Sequence, residues 1–109
     1  MSQPAAEPGA ALHFDDGKSR LDLVDSRWIE AVGHVLGFGA KKYDDHNWTR
    51  GIVWSKLIGS ALRHIFAFAR GEDNDPESGR PHLAHASCCL MMLYGITQRY
   101  PQLDDRMPQ

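Results

Sequence analysis

The residues best suited to chemistry in this sequence lie between Gly71 and His85, in GEDNDPESGRPHLAH. A short loop offers four carboxylates, Glu72, Asp73, Asp75 and Glu77, and runs directly into His82 and His85. Spaced three apart, the two imidazoles share one face of a helix. Imidazoles and carboxylates gathered at the mouth of a buried helix are the donor types of a divalent-metal site. Glu72, Asp73, Asp75, His82 and His85 are therefore the candidate ligands. The plain alternatives are a hydrogen-bonded helix entrance and a solvated acidic turn.

Two further segments bear on the same chemistry. His64 lies about two turns before one helix should end, and His85 about one turn after the next begins, so an antiparallel hairpin would bring them level. Upstream, GAKKYDDHNWTRG is polar, studded with aromatics and longer than a helix connection needs, which suits a segment that also covers a ligand. Lys41, Lys42, Arg50 and Arg63 could neutralise phosphate charge, with ordinary surface solvation as the alternative. Tyr43 and Trp48 could stack on a base or simply anchor their loop, and Asn47 could contact a base or sugar.

Helices must position these groups. Pro81 suits a first helical turn, and the run from Leu83 to Leu93 has almost no polar face, so it should be the buried central helix. Before it, a helix from about Ser55 to Arg70, capped by Ser55 and closed by Gly71, should turn Leu57, Ile58, Ala61, Leu62, Ile65, Phe68 and Ala69 to the core. Lys56, Ser60, Arg63, Ala67 and Arg70 lie on its less apolar side. A first helix from about Leu23 to Phe38, with a stripe of Trp28, Ile29, Val32, Val35 and Leu36, should stop at Gly37 and Gly39. The result is an all-α domain over residues 17–100. Residues 1–16 read as a mobile tail and 101–109 as a frayed one, or one that crosses a subunit contact.

Composition bounds the partners. At 109 residues the chain is one domain, and its second and third helices are apolar over more of their circumference than one layer of neighbours covers. A homodimer or dimer of dimers is expected to complete the core. Twelve basic against fourteen acidic residues leave a net charge of -2, which gives no electrostatic case for nucleic-acid binding. Cys88 and Cys89 are adjacent, a spacing that fits neither a zinc knuckle nor a redox pair, so buried thiols in a reduced, cytoplasmic protein are expected. The first residues show no secretory pattern, and the apolar run is too short to span a bilayer.

The pattern G-A-x-K-Y, then N-W, then G, followed by R-H and G-E-D-x-D-x-E-S-G-x-x-H-L-A-H-A, resembles the small phage and bacterial dATP/dGTP diphosphohydrolases, termed MazZ-like. These belong to the all-helical NTP pyrophosphohydrolase superfamily that includes the MazG and dUTPase-like enzymes. The resemblance spans roughly residues 18 to 96. It implies a small all-α, oligomeric, metal-dependent enzyme that hydrolyses a purine deoxynucleoside triphosphate to monophosphate and pyrophosphate, in the host cytoplasm if phage-encoded. The superfamily's E-x-x-E and E-x-x-D metal cage is replaced here by Arg63-His64 and His82-x-x-His85, with Glu72, Asp73 and Asp75 adding carboxylates. Imidazole is softer than the oxygens Mg²⁺ prefers, so Mn²⁺ becomes a serious contender beside Mg²⁺.

Phosphoanhydride hydrolysis needs an activated, in-line water and positive charge spread over the phosphates. Glu72, Asp75 and His64 are the candidate catalytic groups. Lys41, Lys42, Tyr43, Asn47, Trp48, Arg50 and Arg63 are the candidate substrate contacts, with dGTP expected as a good substrate, dATP as a second candidate and pyrimidine triphosphates as poorer ones. Two other classes compete. An HD-type phosphohydrolase would release triphosphate, but no adjacent His-Asp pair occurs in the sequence. A non-catalytic helical interaction module would yield no product.

Overall fold

The computed structural model of the chain describes residues 7–108; Met1 to Ala6 of the expected N-terminal tail and Gln109 of the expected C-terminal tail lie outside the described residues. Three α-helices carry the fold: α1 Ser26–Tyr43, α2 Trp54–Ala69 and α3 His82–Arg99. Single 3₁₀ turns form at Leu21–Leu23, Asn47–Arg50 and Pro101–Leu103. Among the described residues there is no strand, and one bridge between Asn74 and Pro81 pinches the α2–α3 loop. The small all-α domain expected from the apolar periodicity is the one observed.

The first helix begins and ends later than its apolar stripe suggests. Asp25 caps it, accepting the Arg27 amide at 2.9 Å. Gly37 and Gly39 do not stop it, because a helical glycine only weakens a helix, by about 1 kcal/mol, and the helix continues through both. The chain leaves helical space at Asp44, whose φ is 87°. The last turn consequently carries Lys41 and Lys42, whose charge complements the free carbonyls there.

The second helix takes its cap from a distant part of the chain. Val53 occupies the N-cap and has no side chain to offer, so the expected role of Ser55 is not observed. Instead the Asp105 carboxylate accepts the Ser55 amide at 2.9 Å and also the Ser55 hydroxyl. Arg106 lies 4.9 Å above the Trp54 ring. Residues 101–106 thus fold back onto α2 where a frayed end was one expectation.

Helix α3 is central, packing on α1, on α2 and on the two 3₁₀ turns that flank α2 and α3. Val35, Ala84 and Cys88 close the α1–α3 contact, while Trp54, Leu57 and Ile96 close the α2–α3 contact with Trp48, Met92 and Leu103 at its margin. Residue pairs Leu57 with Ile96, Ser60 with Cys89 and His64 with His82 run in opposite senses, so α2 and α3 are antiparallel. The buried arc of α2 is narrower than its apolar arc. Leu62, Ile65 and Phe68, expected in the core, are 42%, 39% and 40% exposed, Ala69 is exposed, and Ala67 is buried instead. Trp28 and Ile29 of α1 are half exposed as well. With one helix covering each of them, α1 and α2 bury only a strip of their apolar surface.

Candidate functional site

The less apolar side of α2 forms one wall of an open cleft of about 1070 Å³, at the upper end of the range for small-molecule sites. The C-terminal half of α1, the segment 44–48, Ile52, Asp75 and Glu77 of the α2–α3 loop and the first half of α3 as far as Met92 form the remainder. Of the residues singled out from sequence, Lys42, Tyr43, Asn47, Trp48, Arg63, His64, Asp75 and His85 line it. Lys41, Arg50, Glu72, Asp73 and His82 stand outside its lining.

At one end of the cleft three imidazoles from α2 and α3 converge. The His64 ring stacks on His85 with centroids 4.5 Å apart and planes 10° apart, and its Nδ1 is 2.8 Å from His82 Nδ1. His82 is 4% exposed, and its Nε2 donates to Glu72 Oε1 at 2.8 Å. A carboxylate can only accept, so Nε2 holds a proton and a neutral His82 keeps its lone pair on Nδ1, facing His64. His64, Asp75 and His82 each present a ligand atom, and these atoms lie within 4.8 Å of one another. This is the one such group among the described residues.

The donor chemistry fits a divalent ion. A metal-binding histidine characteristically gives its other ring N–H to a carboxylate, which is what His82 does with Glu72. The antiparallel hairpin explains how the sequence achieves this: the turn at 71–81 returns the chain with His82 directly opposite His64. Asp73 contributes to that turn through its backbone, its carbonyl accepting the His82 amide at 2.9 Å.

Asp75 is fixed by the turn that follows it. Its Oδ2 accepts the Ser78 amide at 3.0 Å, its carbonyl accepts the Gly79 amide at 2.7 Å, and Gly79 adopts the φ of 72° that the turn requires. Burial pushes the Asp75 carboxyl up, but the hydrogen bond from the Ser78 amide and the neighbouring His85 and His64 outweigh it and hold Asp75 below the usual carboxylate range. Burial, with His85 and His82 adding to it, holds His64 below the usual histidine range against the pull of Asp75. Burial does the same to His85, opposed by Asp75 and Glu77. Ionised carboxylate and neutral imidazoles are the forms a cation requires.

The cationic and aromatic candidates have defined partners. Lys42 Nζ lies 2.8 Å from Glu77 Oε1, an ion pair joining the end of α1 to the α2–α3 loop, and 5.3 Å from the Tyr43 ring centroid. Trp48 packs against α3 so closely that a Cβ on Gly95 would come within 2.6 Å of its ring, and Arg99 lies 5.1 Å above it. One face of Trp48 therefore anchors the 47–50 turn, while part of the side chain lines the cleft. Lys41 and Arg50 are exposed. Sequence reasoning passed over Ser78, which contacts both Asp75 and His85, and the site role of Glu77. The visible signal for Ser78 was its place in the Ser78-Gly79 turn, four residues before the first helix histidine.

The described residues include no helix long and apolar enough to cross a membrane. No solved structure matches the chain. A curated dATP/dGTP diphosphohydrolase of Salmonella phage PMBT28 is 37% identical over 95 residues, covering 87% of this chain and 32% of the relative, so the chain spans about a third of that protein's length. The family model described as dATP/dGTP diphosphohydrolase, N-terminal, matches residues 8–106, a stretch that holds the whole cleft and its histidine cluster. On that match the chain belongs to the dATP/dGTP diphosphohydrolase family, as a counterpart of its N-terminal region.

Proposed function

We propose that this domain hydrolyses purine deoxynucleoside triphosphates, dGTP and also dATP, to the monophosphate and pyrophosphate with the help of Mg²⁺ or Mn²⁺. The observation that supports it most is the meeting of a three-donor group, His64, Asp75 and His82, with a cleft walled by Lys42 and Arg63. His64, Asp75 and His82 would hold the ion, and two imidazoles in three donors favour Mn²⁺ at least equally. When bound, a divalent ion polarises phosphate oxygens and lowers the pKa of its water.

The chain's own residues do the remaining work. Arg63, and Lys42 once it exchanges Glu77 for phosphate, offset charge on the departing pyrophosphate. His64 and Asp75, which face the cleft, would present the ion and its water to the phosphates; with their lone pairs given to the ion, neither takes the water's proton. Glu72 acts through His82, orienting it by a hydrogen bond. Tyr43 and Asn47 take the base and sugar, with Trp48 as the rigid floor beside them. The exposed apolar side chains Phe66, Leu90 and Tyr94, at 55%, 54% and 71%, favour a homodimer or dimer of dimers as the working form.

The test is product analysis of the four deoxynucleoside triphosphates by anion-exchange chromatography, with Mn²⁺, with Mg²⁺ and in chelator. Pyrophosphate with dGMP or dAMP, lost in chelator, is expected. Triphosphate with nucleoside would shift the chain to the HD-type class, and absence of any product would make it a binding module. Light scattering on the same samples checks the assembly.

A further inference from the structure

We infer that Ser78 is a positioning residue that decides which donors of the cluster face the ion: it aims Asp75 toward the cleft and holds His85 back. The inference rests on the ion site proposed above and adds a residue to it. Ser78 reaches both groups at once. Its amide donates to Asp75 Oδ2 at 3.0 Å, and its hydroxyl lies 2.6 Å from His85 Nε2. The second contact is not part of the turn's own hydrogen bonding, because His85 lies seven residues on, in α3.

A third contact bears on the donor and acceptor roles. The Arg80 amide donates to Ser78 Oγ at 3.1 Å. That N–H takes one of the two lone pairs of the oxygen; one lone pair and the hydroxyl hydrogen remain, and we assign the hydrogen to His85 Nε2. Asp75 Oδ2, at 3.8 Å from Nε2, is beyond hydrogen-bond reach. Ser78 is therefore the partner of this nitrogen, and with the hydroxyl hydrogen so assigned a neutral His85 carries its proton on Nδ1. With Nε2 engaged, His85 serves as the plate on which His64 stacks, while His64 and His82 meet through their Nδ1 atoms. With Oδ2 of Asp75 engaged by the Ser78 amide, the other carboxylate oxygen is left for the cation.

The experiment compares the wild-type chain with Ser78→Ala and Ser78→Thr in two measurements. In metal-free protein at about pH 8, where a histidine of ordinary pKa is neutral, ¹⁵N NMR of the imidazoles reads the His85 tautomer. The wild type and Ser78→Thr should carry the proton on Nδ1, and Ser78→Ala should shift toward the Nε2 tautomer. Mn²⁺ titration with pulsed EPR then reads affinity and the number of coordinating imidazoles. Ser78→Ala removes the hydroxyl and keeps the amide that holds Asp75, so it should still bind Mn²⁺ and should gain a nitrogen coupling as His85 becomes free to coordinate. Ser78→Thr should keep the wild-type spectrum. A wild-type His85 protonated on Nε2, or a Ser78→Ala variant with unchanged Mn²⁺ couplings, overturns this inference alone. A wild-type chain that binds no Mn²⁺ removes the ion site and this inference together.

Discussion

Replacing Glu72 by alanine separates a metal ligand from a residue that orients one. Its carboxylate accepts from His82 Nε2 at 2.8 Å, yet its side chain is 51% exposed and it stands outside the cleft lining. If Glu72 acts only by orienting the 4%-exposed His82, its loss leaves all three donors in place and frees one ring to rotate. Removing such a partner typically weakens metal binding 10- to 100-fold, or about 1.4 to 2.7 kcal/mol. The fold should change little, since half of the lost side chain was already in water. Calorimetric titration with Mn²⁺ on wild type, Glu72→Ala and Asp75→Ala gives the comparison, with thermal unfolding in chelator as the control for folding. Glu72→Ala should retain weakened binding, and Asp75→Ala should fall below detection. Equal loss in both variants would make Glu72 a direct ligand, and unchanged affinity in Glu72→Ala would show that its hydrogen bond to His82 does nothing for the site.

Gly95→Ala should destabilise the domain by about 1 to 2 kcal/mol, because overpacking against Trp48 at 2.6 Å exceeds the helix-propensity gain. Gly33→Ala in α1, where the new methyl meets nothing within 4 Å, should instead stabilise by up to about 1 kcal/mol, so thermal unfolding of the pair gives opposite signs. Asp105→Ala should speed amide hydrogen exchange at Ser55 and lower the unfolding temperature, and unchanged exchange would mean the cap is not formed in solution. In chelator, stability should fall as pH drops below about 6.5. There the unfolded chain binds protons that the folded chain, with His64 and His85 held low, resists. The low Asp75 adds a further loss below about 3.9. A His64→Gln/His85→Gln chain with the same pH profile in thermal unfolding would contradict that assignment.

Some of this protein was legible in its residues alone. The apolar run after Pro81 specified α3, the periodicity of residues 55–70 specified α2, and the short acidic loop between them forced an antiparallel return, so the nearness of His64 to His85 followed from local pattern and chain length. The family resemblance was likewise carried by contiguous motifs.

Other features depend on contacts between residues far apart in the chain, and these only the tertiary structure decided. The α2 cap came from Asp105, fifty residues away, because an unfilled helix N-terminus accepts any carboxylate that reaches it. Gly37 and Gly39 lowered helix propensity without ending α1, since propensity is a weak preference that packing of Val35 and Leu36 on α3 overrides. Which apolar residues of α2 were buried depended on where α3 lay, so Ala67 went in while Leu62 and Phe68 stayed out. Within the site, residue types announced a cluster of imidazoles and carboxylates, but a hydrogen-bond partner is set by atoms a few ångströms apart. Only the folded chain gave His82 to Glu72, His85 to Ser78 and Lys42 to Glu77, and left His64, Asp75 and His82 as the group close enough to share one ion.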